Sequence, residues 1–133
     1  MVDMLLMEKD MQFLLDEAKD AAQRAYAPYS GYKVGSALRL SDGRIISGCN
    51  VENASYSLSI CAERNAIFKA ISEGRKDIVA LAIWVDSDKI FPPCGACRQV
   101  IHEFAPEIPI WYANHNKTVK TTIQELLPGA FTL

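Results

Sequence analysis

Residues Ile78 to Val85 read Ile-Val-Ala-Leu-Ala-Ile-Trp-Val, an unbroken apolar run set between Asp77 and Asp86. Apolar residues without alternation are the pattern of a strand covered on both faces. The run is far short of the ~20 residues that a membrane span needs. Its covers are written on either side. Cys61 to Ser72 is rich in Ala, Glu, Arg, Phe and Ile and is followed by Gly74, which predicts a helix with a glycine stop. Gly95 to Phe104 predicts another helix, entered after Pro92-Pro93. A buried strand between two helices demands a layered α/β architecture.

The rest of the chain fits around that centre. From about Glu8 to Tyr26, Met11, Leu14, Leu15, Ala18, Ala22 and Ala25 recur at helical spacing until Pro28. Tyr32 to Leu40 alternates, with Val34, Ser36, Leu38 and Leu40 on one face. Ser41-Asp42-Gly43-Arg44 turns the chain back through Ile45 to Cys49, a hairpin. Ile108 to Tyr112 reads as a further strand, with Asn114 to Lys117 as a hairpin tip leading to Val119. Thr122 and Glu125 are spaced as a capping box for a short last helix, stopped by Pro128-Gly129. The order α-β-β-α-β-α-β-β-α predicts a single domain over residues 1–133. It is a mixed five-stranded sheet with helices on both faces, its strand–helix–strand–helix–strand middle parallel and right-handed.

Charge narrows the partners. Lys plus Arg is 14 against 16 for Asp plus Glu, a formal net charge of −2. That balance excludes the basic footprint of a nucleic-acid binder, and an apolar content of 50% excludes disorder. Met4 to Met7 is too short for a signal-peptide core and runs directly into Glu8-Lys9-Asp10. The expected location is therefore the cytoplasm, with no membrane partner. There, the four cysteines (Cys49, Cys61, Cys94 and Cys97) are not expected to form a disulfide framework.

Cys94-Gly95-Ala96-Cys97 alone fits a metal half-site or a redox pair. The redox reading expects the pair near the chain start, with a bulky residue between the cysteines. Cys61 opens the preceding predicted helix. Parallel strands feeding both helices would bring their N-termini to one sheet edge, where ligands bind and where thiolates are favoured by the free N–H groups. Three thiolates there suit Zn²⁺ and leave its fourth position open, as catalytic zinc requires. Glu63 follows Cys61 at a spacing that brings a carboxylate toward that position. Cys-x-Glu followed by Pro-Cys-x-x-Cys is the pattern of the zinc deaminases. Cys49 as a fourth ligand would instead close a structural site, making the chain a binding module. Its apolar setting favours a packed free thiol.

The likeness runs through six segments: Tyr26 to Ser30, Val34 to Leu38, Gly48 to Ala54, Cys61 to Arg64, Pro93 to Val100 and Glu125 to Pro128. Over nearly its whole length the chain resembles the cytidine deaminases of the short, homotetrameric, three-cysteine zinc type. The resemblance implies one Zn²⁺ per subunit on Cys61, Cys94 and Cys97, and Glu63 as the group that moves protons. It implies a small nucleoside substrate, with Asn50 and Glu52 on the ribose 3′-hydroxyl. The Ala62 N–H would lie on the base, and Tyr32 would stack on the ring where the family usually has phenylalanine. It further implies that Ala54, Tyr56 and Phe131 reach a neighbouring subunit's site in a homotetramer. Asn65 stands where the family commonly has threonine, and no consequence follows from it.

The implied reaction is hydrolysis of cytidine or 2′-deoxycytidine to uridine or 2′-deoxyuridine with release of ammonia, a step of pyrimidine salvage. Three thiolates around one divalent cation leave a net negative charge, which makes bound water less acidic. Arg64 and Arg98, beside Glu63 and Cys97, are the expected donors that draw charge off the sulfurs. Two other deaminase readings remain at this level: one acting on nucleic acid, which the charge opposes, and one of the blasticidin S type, which the Asn50–Glu52 pair disfavours.

Overall fold

The computed structural model describes residues 4–133, with side chains from Glu8 onward. The first three residues of the expected domain lie outside that description. Helix α1 (Met4–Ala22) leads into the hairpin β1 (Lys33–Leu40) and β2 (Ile45–Cys49). A loop with one 3₁₀ turn at Tyr56–Leu58 reaches α2 (Ala62–Ser72), followed by β3 (Ile78–Asp86) and α3 (Gly95–Phe104). The chain closes with β4 (Ile110–Ala113), β5 (Thr118–Thr121) and α4 (Ile123–Leu126). The strands form one five-stranded sheet in the order β2-β1-β3-β4-β5. Pairing is parallel between β3 and β4 and antiparallel elsewhere.

Each face of the sheet has its own packing. Leu14, Leu15 and Ala18 of α1 lie on Ala37, Ala80, Ala82, Trp111 and Ala113. The small sheet residues let the helix come close. At Gly35 a Cβ would stand 1.8 Å from the Ala18 carbonyl oxygen, so only glycine fits. On the other face Leu38, Leu40, Leu81, Ile83 and Ile110 pack with Ala66 and Ile67 of α2 and Ile101 of α3. Burying each such Leu or Ile contributes roughly 1.5–3 kcal/mol. Gly48 touches α2 from β2, where a Cβ would lie 2.6 Å from the Ala66 nitrogen.

The expected element order and layers are all present. Three details differ. Helix α1 ends at Ala22 rather than Tyr26, because Tyr26 leaves the helix to exchange backbone hydrogen bonds with Asn50 and Glu52. Strand β2 runs in the direction of β3 but is separated from it by β1, so only β3 and β4 form a parallel ladder. At α4, the Thr122 hydroxyl accepts from the Glu125 N–H, but the Glu125 carboxylate accepts from the Thr121 hydroxyl and leaves the capping box half-formed.

This topology sets the site. Strands β2 and β3 end at the same sheet edge at which β1 begins. The chain re-enters there as α2 and α3, so both helix N-termini face that edge. Among the described residues no helix is long and apolar enough to cross a membrane.

Candidate active site

Cys61 is the N-cap of α2 and Cys94 the N-cap of α3, and neither side chain caps its own helix. Their sulfurs turn instead toward each other, 3.5 Å apart. Cys97, buried in the first turn of α3, completes a set whose three sulfurs lie within 4.8 Å of one another. The Arg64 Nη2 donates to the Cys61 sulfur at 3.5 Å. Cys61 is drawn down to about 5, first by the Cys97 thiol and then by Arg64. Cys97 is pushed well above the ordinary thiol range, because it donates to Cys61 and is desolvated. Arg64 is the cationic side chain beside these sulfurs, and its Nε is buried without a partner. A compact set of thiols beside a cationic side chain fits a thiophilic divalent ion, zinc above all.

Cys49 does not join the set. It pairs with Gly35 across the β1–β2 ladder, and partners in a ladder point to the same face. Gly35 faces α1, so Cys49 faces α1 too, on the far side of the sheet from the other thiols. It is half-buried beside a surface cavity rather than packed in the core.

Glu63, in the first turn of α2, is 4% exposed. Burial, followed by the negative charge at Cys61, raises its carboxyl to about 7. It lines a cleft of about 190 Å³ together with Cys61, Ala62 and Cys94. The Ser36 hydroxyl fixes the start of α2 by donating to the Ala62 carbonyl at 2.8 Å. The first N–H groups of a helix have no intrahelical acceptor, so Ala62 offers a free donor to the cleft. Ile83 and Val85 of β3 supply an apolar floor.

Tyr32 and Phe91 form one wall of the cleft, edge to face with centroids 4.9 Å apart. Phe91 was not anticipated from the sequence. Its only signal there is an aromatic residue immediately before Pro-Pro-Cys. Asn50 lines the cleft, and its amide already bonds to the backbone. Oδ1 accepts from the Val34 N–H at 2.9 Å, and Nδ2 donates to the Tyr32 carbonyl at 2.8 Å. Glu52 is not itself in the cleft lining. Its Oε1 accepts from the N–H groups of Tyr29 and Ser30, both at 3.0 Å, and its Oε2 accepts from the Ser30 hydroxyl. Against the upward pull of burial, these bonds hold Glu52 below the usual carboxylate value. Ser30, a second residue not singled out from the sequence, lines the cleft in its place.

The expectation for Arg98 needs correction. Its Nε donates to the Pro93 carbonyl at 2.7 Å and its Nη1 to the Leu126 carbonyl at 2.8 Å, so these donors are held by backbone and not by sulfur. Asn65 gains a role: its Nδ2 donates to the Cys49 carbonyl at 2.7 Å, tying α2 to β2. Ala54, Tyr56 and Phe131 are all exposed, and none lines the cleft of its own chain. Tyr56 leans on Tyr29 edge to face, centroids 6.3 Å apart.

Residues 7–112 match the family model for the cytidine and deoxycytidylate deaminase zinc-binding region. The chain is 51% identical over 125 residues to a cytidine deaminase of Halalkalibacterium halodurans, covering 92% of this chain and 95% of that one. A cytidine deaminase of Sporosarcina psychrophila is 47% identical over 125 residues, covering 92% of both chains. Among solved structures, the crystal structure of cytidine deaminase from Burkholderia pseudomallei superposes with a TM-score of 0.86 at 44% identity, over 90% of this chain and 98% of that one.

Proposed function

The chain belongs to the cytidine and deoxycytidylate deaminase zinc-binding family, and from that premise we propose that it hydrolyses cytidine and 2′-deoxycytidine to uridine and 2′-deoxyuridine, releasing ammonia. One observation carries this reading: three cysteine sulfurs meet beside a buried glutamate in a cleft that also holds an aromatic pair. Cys61, Cys94 and Cys97 would hold Zn²⁺, with no fourth thiol on their side of the sheet. Zinc bound there supplies a Lewis acid that makes water nucleophilic near neutral pH.

The protein's own groups do the rest. Glu63, with a carboxyl near 7, is suited to taking a proton and returning it. It takes one from the attacking water and gives it to ring N3. It then carries the water's second proton to the 4-amino nitrogen. The oxygen–C4 bond forms, the C4–N bond breaks, and ammonia leaves behind a carbonyl. Arg64 offsets negative charge at Cys61. The Ala62 N–H holds the base, and Tyr32 with Phe91 packs against the ring. Asn50 keeps one amide hydrogen and spare acceptor capacity for the ribose 3′-hydroxyl, and Glu52 serves the same end of the substrate.

The same reading makes the protein a homotetramer of single domains. Ala54, Tyr56 and Phe131, each exposed on its own chain, then complete a neighbour's cleft. Its place is pyrimidine salvage in the cytoplasm, apart from nucleic acid and membranes. The test is turnover of cytidine, 2′-deoxycytidine, blasticidin S and a cytosine-bearing single-stranded oligonucleotide, with light scattering on the same sample. Turnover of the two simple nucleosides by a tetramer is expected. Preference for blasticidin S or the oligonucleotide would overturn the substrate reading, and an active monomer would overturn the assembly.

A further inference from the structure

We propose that Arg98 is a positioning residue that couples the cysteine cluster to the C-terminal segment, so that metal binding and the ordering of residues 126–133 support each other. This rests on the reading that Cys61, Cys94 and Cys97 hold a metal ion.

The coupling is visible at both ends of one guanidinium. The Nε holds the carbonyl of Pro93, the fully buried residue that sets the approach of Cys94. The Nη1 holds the carbonyl of Leu126, the last residue of α4. A guanidinium is a rigid planar fork, so the two carbonyls are fixed relative to each other as well as to Arg98. Leaving the buried Pro93 carbonyl unpaired would be costly, which gives the contact a reason to persist.

Ile123 and Leu126 pack α4 into the core, but most residues beyond Leu127 are exposed and little else orders them. Helix α4 is four residues long, too short to sustain itself. Besides Arg98, Gln124 donates to the Pro106 carbonyl at 2.8 Å. Beyond Leu127, the only hydrogen bond among the described residues comes from Gln99, whose Nε2 donates to the Phe131 carbonyl at 3.0 Å. Arg98 and Gln99 are consecutive on α3, directly after Cys97. The helix that presents two of the three sulfurs therefore also holds the tail. Coupling between two sites is reciprocal: whatever orders the sulfurs orders the tail, and the reverse. A chain that loses its metal would also loosen the segment that carries Phe131.

The experiment uses the zinc-loaded protein of residues 1–133. Zinc release to a chromogenic chelator is followed for wild type, Arg98→Lys and Arg98→Gln, with amide hydrogen exchange read over residues 126–133. Groups bonded directly to a ligand change metal affinity by about 10- to 100-fold when removed, and Arg98, one step further out through the Pro93 carbonyl, should act at the low end of that range. Arg98→Gln should release zinc about tenfold faster and exchange faster across the tail. Arg98→Lys, which keeps the charge but not the fork, should fall between. Release within twofold of wild type in Arg98→Gln would overturn the proposal. If that variant does not fold, wild type alone decides: stripping zinc should speed exchange at 126–133, and unchanged exchange there would overturn it. Wild type that binds no zinc would contradict the metal reading itself, a separate outcome seen by metal analysis before any variant is made.

Discussion

Cys49 stands opposite Gly35 in the β1–β2 ladder, and the pair looks into α1 while the other three cysteines gather beyond the opposite face of the sheet. The sheet itself separates the odd thiol from the set. Replacing Cys49 by Ser should leave zinc content and cytidine turnover within about twofold of wild type, at a stability cost of about 1 kcal/mol. Metal analysis and an absorbance assay check both. Loss of zinc would make Cys49 a ligand and the site a structural one.

The close approach of α1 to the sheet depends on Gly35. A Cβ there would stand 1.8 Å from the Ala18 carbonyl oxygen and 2.5 Å from the Ala22 nitrogen, both backbone atoms that cannot swing aside. Gly35→Ala should therefore lower stability by about 3 kcal/mol, the upper end for overpacking. The urea midpoint reads this directly, and an unchanged midpoint would mean that α1 is free to move off the sheet.

The Tyr32–Phe91 pair should act on binding more than on chemistry. An aromatic pair is worth about 0.5–1.5 kcal/mol beyond its burial. Phe91→Ala should raise KM for cytidine by about tenfold with little change in kcat, whereas Tyr32→Phe, which keeps the ring, should stay near wild type. Steady-state kinetics separate the two effects. A fall in kcat with KM unchanged would place Phe91 in the chemical step instead.

Stability toward acid should depend on Asp77. Arg75 first, then the Ser41 hydroxyl, hold its carboxyl far below the usual range. A carboxyl depressed on folding adds stability above its unfolded value and loses it as pH falls through the folded one. Wild type should therefore outlast Asp77→Asn at pH 6, and the gap should close below the ordinary Asp value of 3.8. Thermal midpoints from pH 6 to pH 2 test the sign. A gap that grows toward low pH would contradict it.

Most of this architecture was legible because its signals are local. The apolar run at Ile78–Val85, the turn at Asp42-Gly43 and the two helices opening at cysteines are each decided by neighbours in sequence. The three sulfurs were legible from the topology those elements imply, since strands ending at one sheet edge bring both helix N-termini there. What escaped was decided at long range. Tyr26 keeps helical spacing but leaves α1 for the backbone of Asn50 and Glu52. Arg98 lies beside Cys97 in sequence, yet one of its partners is a carbonyl 28 residues away. Phe91 belongs to no periodic element, so nothing local announced that it would meet Tyr32.

The central claim is that Glu63 moves protons in a zinc site it does not itself build. Zinc content and cytidine turnover, measured on the same samples of wild type and Glu63→Ala, test it most directly. Both proteins should carry about one zinc per chain, as a three-cysteine site requires, and only wild type should convert cytidine, with the variant slower by at least about 10²-fold. Wild-type turnover in a zinc-loaded Glu63→Ala protein would contradict the account.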